Sequence, residues 1–245
     1  MIQTVATYHE GPVYCRYDGT QLTNFSPQML ESEYWQRQNL VVAQAHGRGI
    51  TWFVNYQGSE LVLRHYYRGG LVRKLINDSY WFKSYATTRA VVEFNLLLKL
   101  IDLDLPVPQP VACRVIKKGL FYSNDLLMGR IKNAQNLVAI LSEKSISEQL
   151  WQKIGATITM FHQHGVFHHD LNAHNILIDN KDKVWLIDFD KGEQRTVDKS
   201  WQDMNLARLK RSLLKEQSKL QDFYYQESDF KQLLKGYESN LAVQL

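Results

Sequence analysis

The residues best suited to chemistry lie close together in the stretch GVFHHDLNAHNILIDNKDKVWLIDFD, residues 165–190. Asp170 stands five positions before Asn175, the apolar runs NILID and VWLID follow around the polar turn NKDK, and Asp188 ends the second run. Two such runs joined by a polar turn predict a β-hairpin, a rigid platform whose ends hold polar groups close in space. A carboxylate, an amide and a second carboxylate in that arrangement suit metal-assisted phosphoryl transfer. One carboxylate orients and deprotonates an attacking hydroxyl, while an amide oxygen and the other carboxylate hold the magnesium that bridges nucleotide phosphates. The competing reading is of polar residues that merely cap loops on either side of a hairpin.

These residues need a scaffold, and the rest of the chain predicts one of class α+β. GITWFVNY and ELVLRHYY are β-branched and aromatic runs separated by QGS, which reads as a hairpin with a glycine-containing turn. PVACRVI and LFYSNDLLM around KKG read as a second hairpin, so a small antiparallel sheet is expected. Between them, TTRAVVEFNLLLKLIDL carries Ala90, Phe94, Leu97, Leu98 and Ile101 at helical spacing and stops before the prolines of DLPVPQP. One helix therefore crosses the strand-rich region. The polar segment GRIKNAQN is the expected hinge, giving an N-lobe over 1–128 and a mainly helical C-lobe over 129–245. In the C-lobe Ser145 and Glu148 have capping-box spacing, and Trp151, Ile154, Ile158 and Phe161 fall on one helical face that runs to Gly165. Further helices are expected to begin near Trp201 and Ser228.

In a chain of 245 residues an apolar fraction of 44% allows a full hydrophobic core. Cys15 and Cys113, the two cysteines, stand in no C-x-x-C or metal-type spacing, which argues for packed, reduced thiols. Five of the eight histidines fall between His162 and His174, yet no cysteine or carboxylate stands at usual zinc spacing and no transition-metal site is expected. The N-terminus has neither the basic start nor the apolar run of a signal peptide, and no window approaches the roughly 18 apolar residues of a bilayer span. A cytoplasmic protein is expected. The formal charge of +4 is concentrated in YYRGGLVRKL and RLKRSLLKEQSK, which favours an anionic partner. Without a basic and aromatic reading motif, that partner is not expected to be nucleic acid.

HHDLNAHN and DFD resemble the H-R-D-L-x-x-x-N catalytic loop and the D-F-G metal motif of the protein-kinase-like superfamily. The resemblance implies a two-lobed kinase fold with ATP and Mg2+ as cofactors. It makes Asp170 the catalytic base, Asn175 a metal ligand, Asp188 the main metal ligand and His168 the histidine that braces the loop. Upstream, Gly47 and Gly49 in HGRGITWFV become a phosphate-covering turn that leaves backbone amides open to phosphate oxygens. Arg64 falls where the superfamily has its phosphate-clamping lysine, with Lys74 as the alternative, and Glu93 on the crossing helix is the partner for that cation.

Departures from the protein-kinase pattern narrow the substrate. His169 replaces the usual arginine, Asp190 replaces the flexible glycine, no A-P-E follows, and few residues remain beyond Asp190 for a peptide-docking subdomain. Together GRGITWFV, LVLRHYYRGGLVRKL, TRAVVEFNLLLKL, VPQPVACRV, HHDLNAHNILID, WLIDFDKGEQR and WQDMNLARLKRSLLK resemble the bacterial 3-deoxy-D-manno-octulosonic acid (Kdo) kinases, over roughly residues 45–220. That resemblance implies phosphorylation of Kdo, expected at O-4, on a lipid A precursor at the cytoplasmic face of a Gram-negative inner membrane. A lipid-linked Kdo acceptor and the membrane surface are the implied partners. Heptose kinases, aminoglycoside-type phosphotransferases and a nucleotide-binding pseudokinase remain as alternatives. Arg68, Arg73 and Lys74 precede Tyr80, Trp81, Phe82 and Lys83, a basic and aromatic segment that either docks on a bilayer or packs between strand and helix. Arg208, Lys210, Arg211 and Lys215 form either an anion-binding face or a solvated helix flank.

Overall fold

The computed structural model of the chain describes residues 4–46, 49–67 and 78–241. It divides into two compact units, one of Met1–Lys99 with Pro108–Arg130 and one of Leu100–Val107 with Ile131–Leu245. Among the described residues the architecture is α+β. The first unit is built on an eight-stranded antiparallel sheet, and the second is mainly helical.

In the first unit β1 (Val5–Glu10), β2 (Val13–Asp18), β3 (Val41–His46), β4 (Ile50–Tyr56), β5 (Ser59–His65), β6 (Tyr80–Trp81), β7 (Pro110–Lys118) and β8 (Phe121–Gly129) pair in the order β1-β2-β7-β8-β5-β4-β3, with β6 also on β8. Both predicted hairpins form. Tyr56 pairs with Ser59, so the β4–β5 turn is the dipeptide Gln57-Gly58, at φ 50° and 81°. Positive φ at both central positions suits the right-handed twist of the flanking strands. No strand is expected before Gly49 from the sequence, whereas residues 5–46 supply β1, β2 and β3. Their side chains are mostly half-buried or exposed, so the apolar alternation that marks a strand is faint there.

One face of the sheet packs Val54, Leu61, Leu63, Val111 and Leu127 against Trp35, from the short helix α1 (Ser32–Arg37), and against Met29 and Leu30. Cys15 and Cys113 are buried free thiols, and burial raises each pKa to about 12. The central strands share a charged row. Asp125 on β8 accepts from Arg114 on β7 at 2.9 Å and meets His65 on β5 at 2.6 Å, and Arg114 reaches on to Glu31 at 2.8 Å. The crossing helix α2 (Arg89–Asp102) turns Ala90, Phe94 and Leu97 inward as the spacing predicts, and it ends before Asp104 at φ 56°.

In the second unit α4 (Glu148–Gln163) buries Trp151, Ile154, Ile158 and Phe161. Its N-cap is Ser147, whose hydroxyl accepts from the Leu150 amide at 3.2 Å, so the predicted capping box from Ser145 does not form. Ser147 wins because it alone stands directly before the first helical residue, where a side-chain oxygen reaches an open amide. The earlier helix α3 (Leu137–Glu143) is capped by Asn136, and the later helices are α5 (Lys199–Lys219) and α6 (Glu227–Leu241). α4 and α6 cross backbone to backbone. A Cβ on Gly155 would lie 1.9 Å from the Leu233 carbonyl, and one on Gly236 would lie 2.0 Å from that of Gln152. No larger residue fits either place without parting the helices.

Candidate active site

The second unit carries the predicted hairpin, and its register explains the spacing of the three chemical residues. β10 (Ile176–Asp179) pairs with β11 (Val184–Leu186), Ile176 opposite Leu186 and Ile178 opposite Val184, while β9 (Ala134–Asn136) flanks β10. The turn is held by Asp179, which accepts from the Lys181 and Lys183 amides and from the Trp185 indole. At the open end the Ile187 amide donates to the Asn175 carbonyl at 3.0 Å. Asn175 and Asp188 are thereby brought to the same end of the hairpin.

Asp170 is fixed through its backbone. Its carbonyl accepts from the side-chain amides of both Asn172 and Asn175 at 3.0 Å, and its own amide donates to His168 Nδ1 at 3.2 Å. Since Nδ1 accepts, the proton of a neutral His168 lies on Nε2, which donates to the Ile187 carbonyl at 2.9 Å. Burial lowers the His168 pKa and favours that neutral form. A single imidazole thus ties the Asp170 loop to the residue before Asp188. Phe189 packs its ring against His168 and Phe161.

Two residues of this end of the hairpin carry oxygens of the kind a hard metal ion takes. Asn175 spends its amide nitrogen on the Asp170 carbonyl, which leaves Oδ1 as the end able to accept or ligate. Asp188 sits at φ 64°, a left-handed conformation that costs energy for a residue with a Cβ. A hard amide oxygen and a carboxylate suit magnesium, which takes one or two protein oxygens and completes its shell with phosphate and water. Among the described residues no three His, Cys, Asp or Glu side chains gather as a closed metal cage.

Two features of this region escape sequence reading. Asn205 on α5 grips His168 from both sides, accepting from its amide at 3.3 Å and donating to its carbonyl at 3.1 Å. The available signal was a polar residue at the buried spacing Trp201, Asn205, Leu209. Arg208 donates to the Asp170 carboxylate at 3.0 Å, so one member of the expected basic face of α5 meets the candidate base.

In the first unit Arg64 and Glu93 come together. Arg64 on β5 donates to Glu93 on α2 at 2.6 Å, and the Tyr66 hydroxyl donates to the same carboxylate oxygen at 2.6 Å. Glu93 is only 1% exposed, so a glutamate on a helix is here a buried partner rather than a solvated one. Burial and the neighbouring carboxylate hold the Tyr66 hydroxyl well above its ordinary pKa, and it stays a donor. Arg64 lies over the Tyr66 ring at 4.9 Å, and Arg89, a further cation that the sequence reading missed, lies over the same ring at 5.6 Å. Arg89 precedes Glu93 by one helical turn, which was its only signal.

Gly49 directly precedes β4 against an aromatic ring, and a Cβ there would lie 2.0 Å from Tyr67 Cε2. Gly47, Arg68, Arg73 and Lys74 lie outside the described residues. Trp81 pairs with Phe121 across β6 and β8, and the two rings meet edge to face at 5.6 Å. Trp81 is 56% exposed and Leu120 on the adjoining turn 63%, whereas Phe82 packs against Tyr85 and Tyr122 under the Lys117 ammonium. Among the described residues no helix is long and apolar enough to cross a membrane.

The model of the lipopolysaccharide kinase (Kdo/WaaP) family matches residues 32–237. The chain is 48% identical over 223 residues to the 3-deoxy-D-manno-octulosonic acid kinase of Vibrio vulnificus strain YJ016, covering 91% of this chain and 94% of that protein. It is 46% identical over 226 residues to the protein of the same name from Vibrio parahaemolyticus, covering 92% and 94%. With that of Vibrio cholerae it shares 47% over 212 residues, covering 86% and 90%.

Proposed function

The chain belongs to the lipopolysaccharide kinase (Kdo/WaaP) family, and from that premise we propose that it transfers the γ-phosphoryl group of ATP to Kdo. The acceptor in this reading is Kdo on a lipid A precursor, the target is its O-4 hydroxyl, and residues 1–128 and 129–245 are the two lobes of one kinase domain. The observation that carries the reading is the Asp170 loop, in which Asn175 donates to the Asp170 carbonyl, His168 links the Asp170 amide to the Ile187 carbonyl, and the hairpin register sets Asn175 opposite the residue before Asp188.

Asp170 accepts the proton of the attacking hydroxyl and aims that oxygen at the γ-phosphate. Asn175 Oδ1 and the Asp188 carboxylate would hold Mg2+, which would supply positive charge to offset that of the phosphates. Arg64, fixed by Glu93, supplies a permanent cation to the phosphates in place of the superfamily's lysine, with Lys74 as the alternative, and Gly47 and Gly49 bring backbone amides toward them. Trp81 and Leu120 beside Lys83, Lys117 and Lys118 form an aromatic and basic patch suited to the cytoplasmic surface of the inner membrane.

The reading is tested by incubating the protein with magnesium, labelled ATP and a panel of acceptors: Kdo-modified lipid A precursor, unmodified precursor, a heptosylated acceptor and an aminoglycoside. Label on the Kdo lipid alone, at O-4 by NMR of the product, is the expected result. Label on another acceptor would keep the phosphotransferase and discard Kdo, and no label on any would leave nucleotide binding without turnover.

A further inference from the structure

A kinase acting on an acidic sugar has an electrostatic difficulty at its base. Asp170 must approach a hydroxyl of an acceptor that carries its own carboxylate, and two like charges a sugar ring's width apart repel. The residue placed to relieve this is Arg208. Its guanidinium donates through Nη1 to Asp170 Oδ1 at 3.0 Å, and that is its one hydrogen bond among the described residues, so the other N–H groups of the fork stay open to a second anion.

The position of Arg208 does not depend on that ion pair. Three residues earlier on α5, Asn205 is bonded twice to His168, and four residues later the Ser212 hydroxyl accepts from the Ala173 amide at 2.9 Å. The helical turn carrying Arg208 is therefore bolted at both ends to the loop that carries Asp170. The pair itself lies in solvent, Arg208 45% and Asp170 41% exposed, and such pairs add little to stability. A guanidinium held firmly at a reactive carboxylate, yet of small structural worth there, has its use in a third party. Arg211 and Lys215 follow Arg208 at i+3 and i+7, exposed on the same side of α5, and extend the positive charge along it.

We propose that Arg208 is the acceptor-recognising residue, its guanidinium bridging Asp170 and the carboxylate of the sugar so that the target hydroxyl is registered against the base. The proposal rests on the Kdo-kinase reading and adds how the acid is selected. Arginine suits the role because its planar fork serves two carboxylates at once, whereas the single ammonium of a lysine does not.

The test compares wild type, Arg208→Ala and Arg208→Lys on the Kdo acceptor and on its carboxyl methyl ester, with initial rates at varied acceptor and varied ATP. Wild type should prefer the acid. Arg208→Ala should lose about 10- to 100-fold in kcat/KM on the acid, the worth of a hydrogen bond to a charged group, and far less on the ester. KM for ATP should not change, and Arg208→Lys should recover only part of the loss. An equal fall on acid and ester would make Arg208 a positioning residue for Asp170 alone and overturn the proposal, as would an unaltered rate on the acid. Failure of wild type to phosphorylate either Kdo compound would instead overturn the underlying reading, and the inference with it. Thermal melting of each variant separates these outcomes from misfolding.

Discussion

At the scale of single residues, the candidate site divides its labour between Asp170, held through its backbone with a part-exposed carboxylate paired to Arg208, and the oxygens of Asn175 and Asp188 at the end of a hairpin. The two groups should therefore fail differently. Asp170→Asn keeps the shape of the loop and removes the base, so turnover should fall by about 10²- to 10⁴-fold with magnesium-nucleotide affinity intact. Asp188→Ala should weaken that affinity itself by at least about 10-fold. Calorimetric titration of both variants with Mg-ATP, beside their turnover, reads the split, and near-wild-type turnover in both would refute the assignments. These three residues were legible in the sequence because they closely flank one local hairpin whose register follows from its apolar runs. Arg208 was legible only as one member of a basic helix face and Asn205 not at all, because their meaning depends on how α5 docks against a loop more than thirty residues away, which no local pattern encodes.

The elements that support the loop meet at another histidine. His162, near the end of α4, lies between Tyr237 of α6, whose hydroxyl donates to Nδ1 at 2.8 Å, and Asn205 of α5, which accepts from Nε2 at 3.3 Å. Burial lowers its pKa to about 4. An unfolded chain protonates this histidine near pH 6.5, so between about 6.5 and 4 the unfolded state binds the extra proton and stability falls as pH falls. The loss from His162 should reach about 3 kcal/mol at the acid end of that window, and burial of His168 acts in the same direction. Denaturant unfolding across pH 4 to 7.5 should show this slope, and His162→Gln should flatten it. A slope that is unchanged in the variant would assign the acid sensitivity elsewhere. Helix positions were read well from apolar spacing, yet the cap of α4 fell two residues from its expected place. Serines at 145 and 147 compete for one role, and only backbone geometry decides between them.

For the whole molecule, class and family were legible, because the sheet-forming and helix-forming patterns segregate along the chain and the two short motifs resemble those of the kinase superfamily. The early strands and the exposed tip of the β7–β8 hairpin were not, since half-buried strands alternate weakly and an exposed leucine in a turn has no sequence signature. That tip gives the membrane proposal its sharpest test. Trp81→Ser combined with Leu120→Ser should lower binding to anionic liposomes about 10-fold or more and leave Mg-ATP affinity alone, whereas undiminished sedimentation with liposomes would sink the docking idea. The central claim, phosphoryl transfer to Kdo with Asp170 as base, is met most directly by one time course. Wild type and Asp170→Asn are followed side by side with γ-labelled ATP, magnesium and purified Kdo-lipid A precursor. Label entering the Kdo lipid with wild type and nearly none with the variant is the predicted result, and equal incorporation by both, or none by wild type, would contradict it.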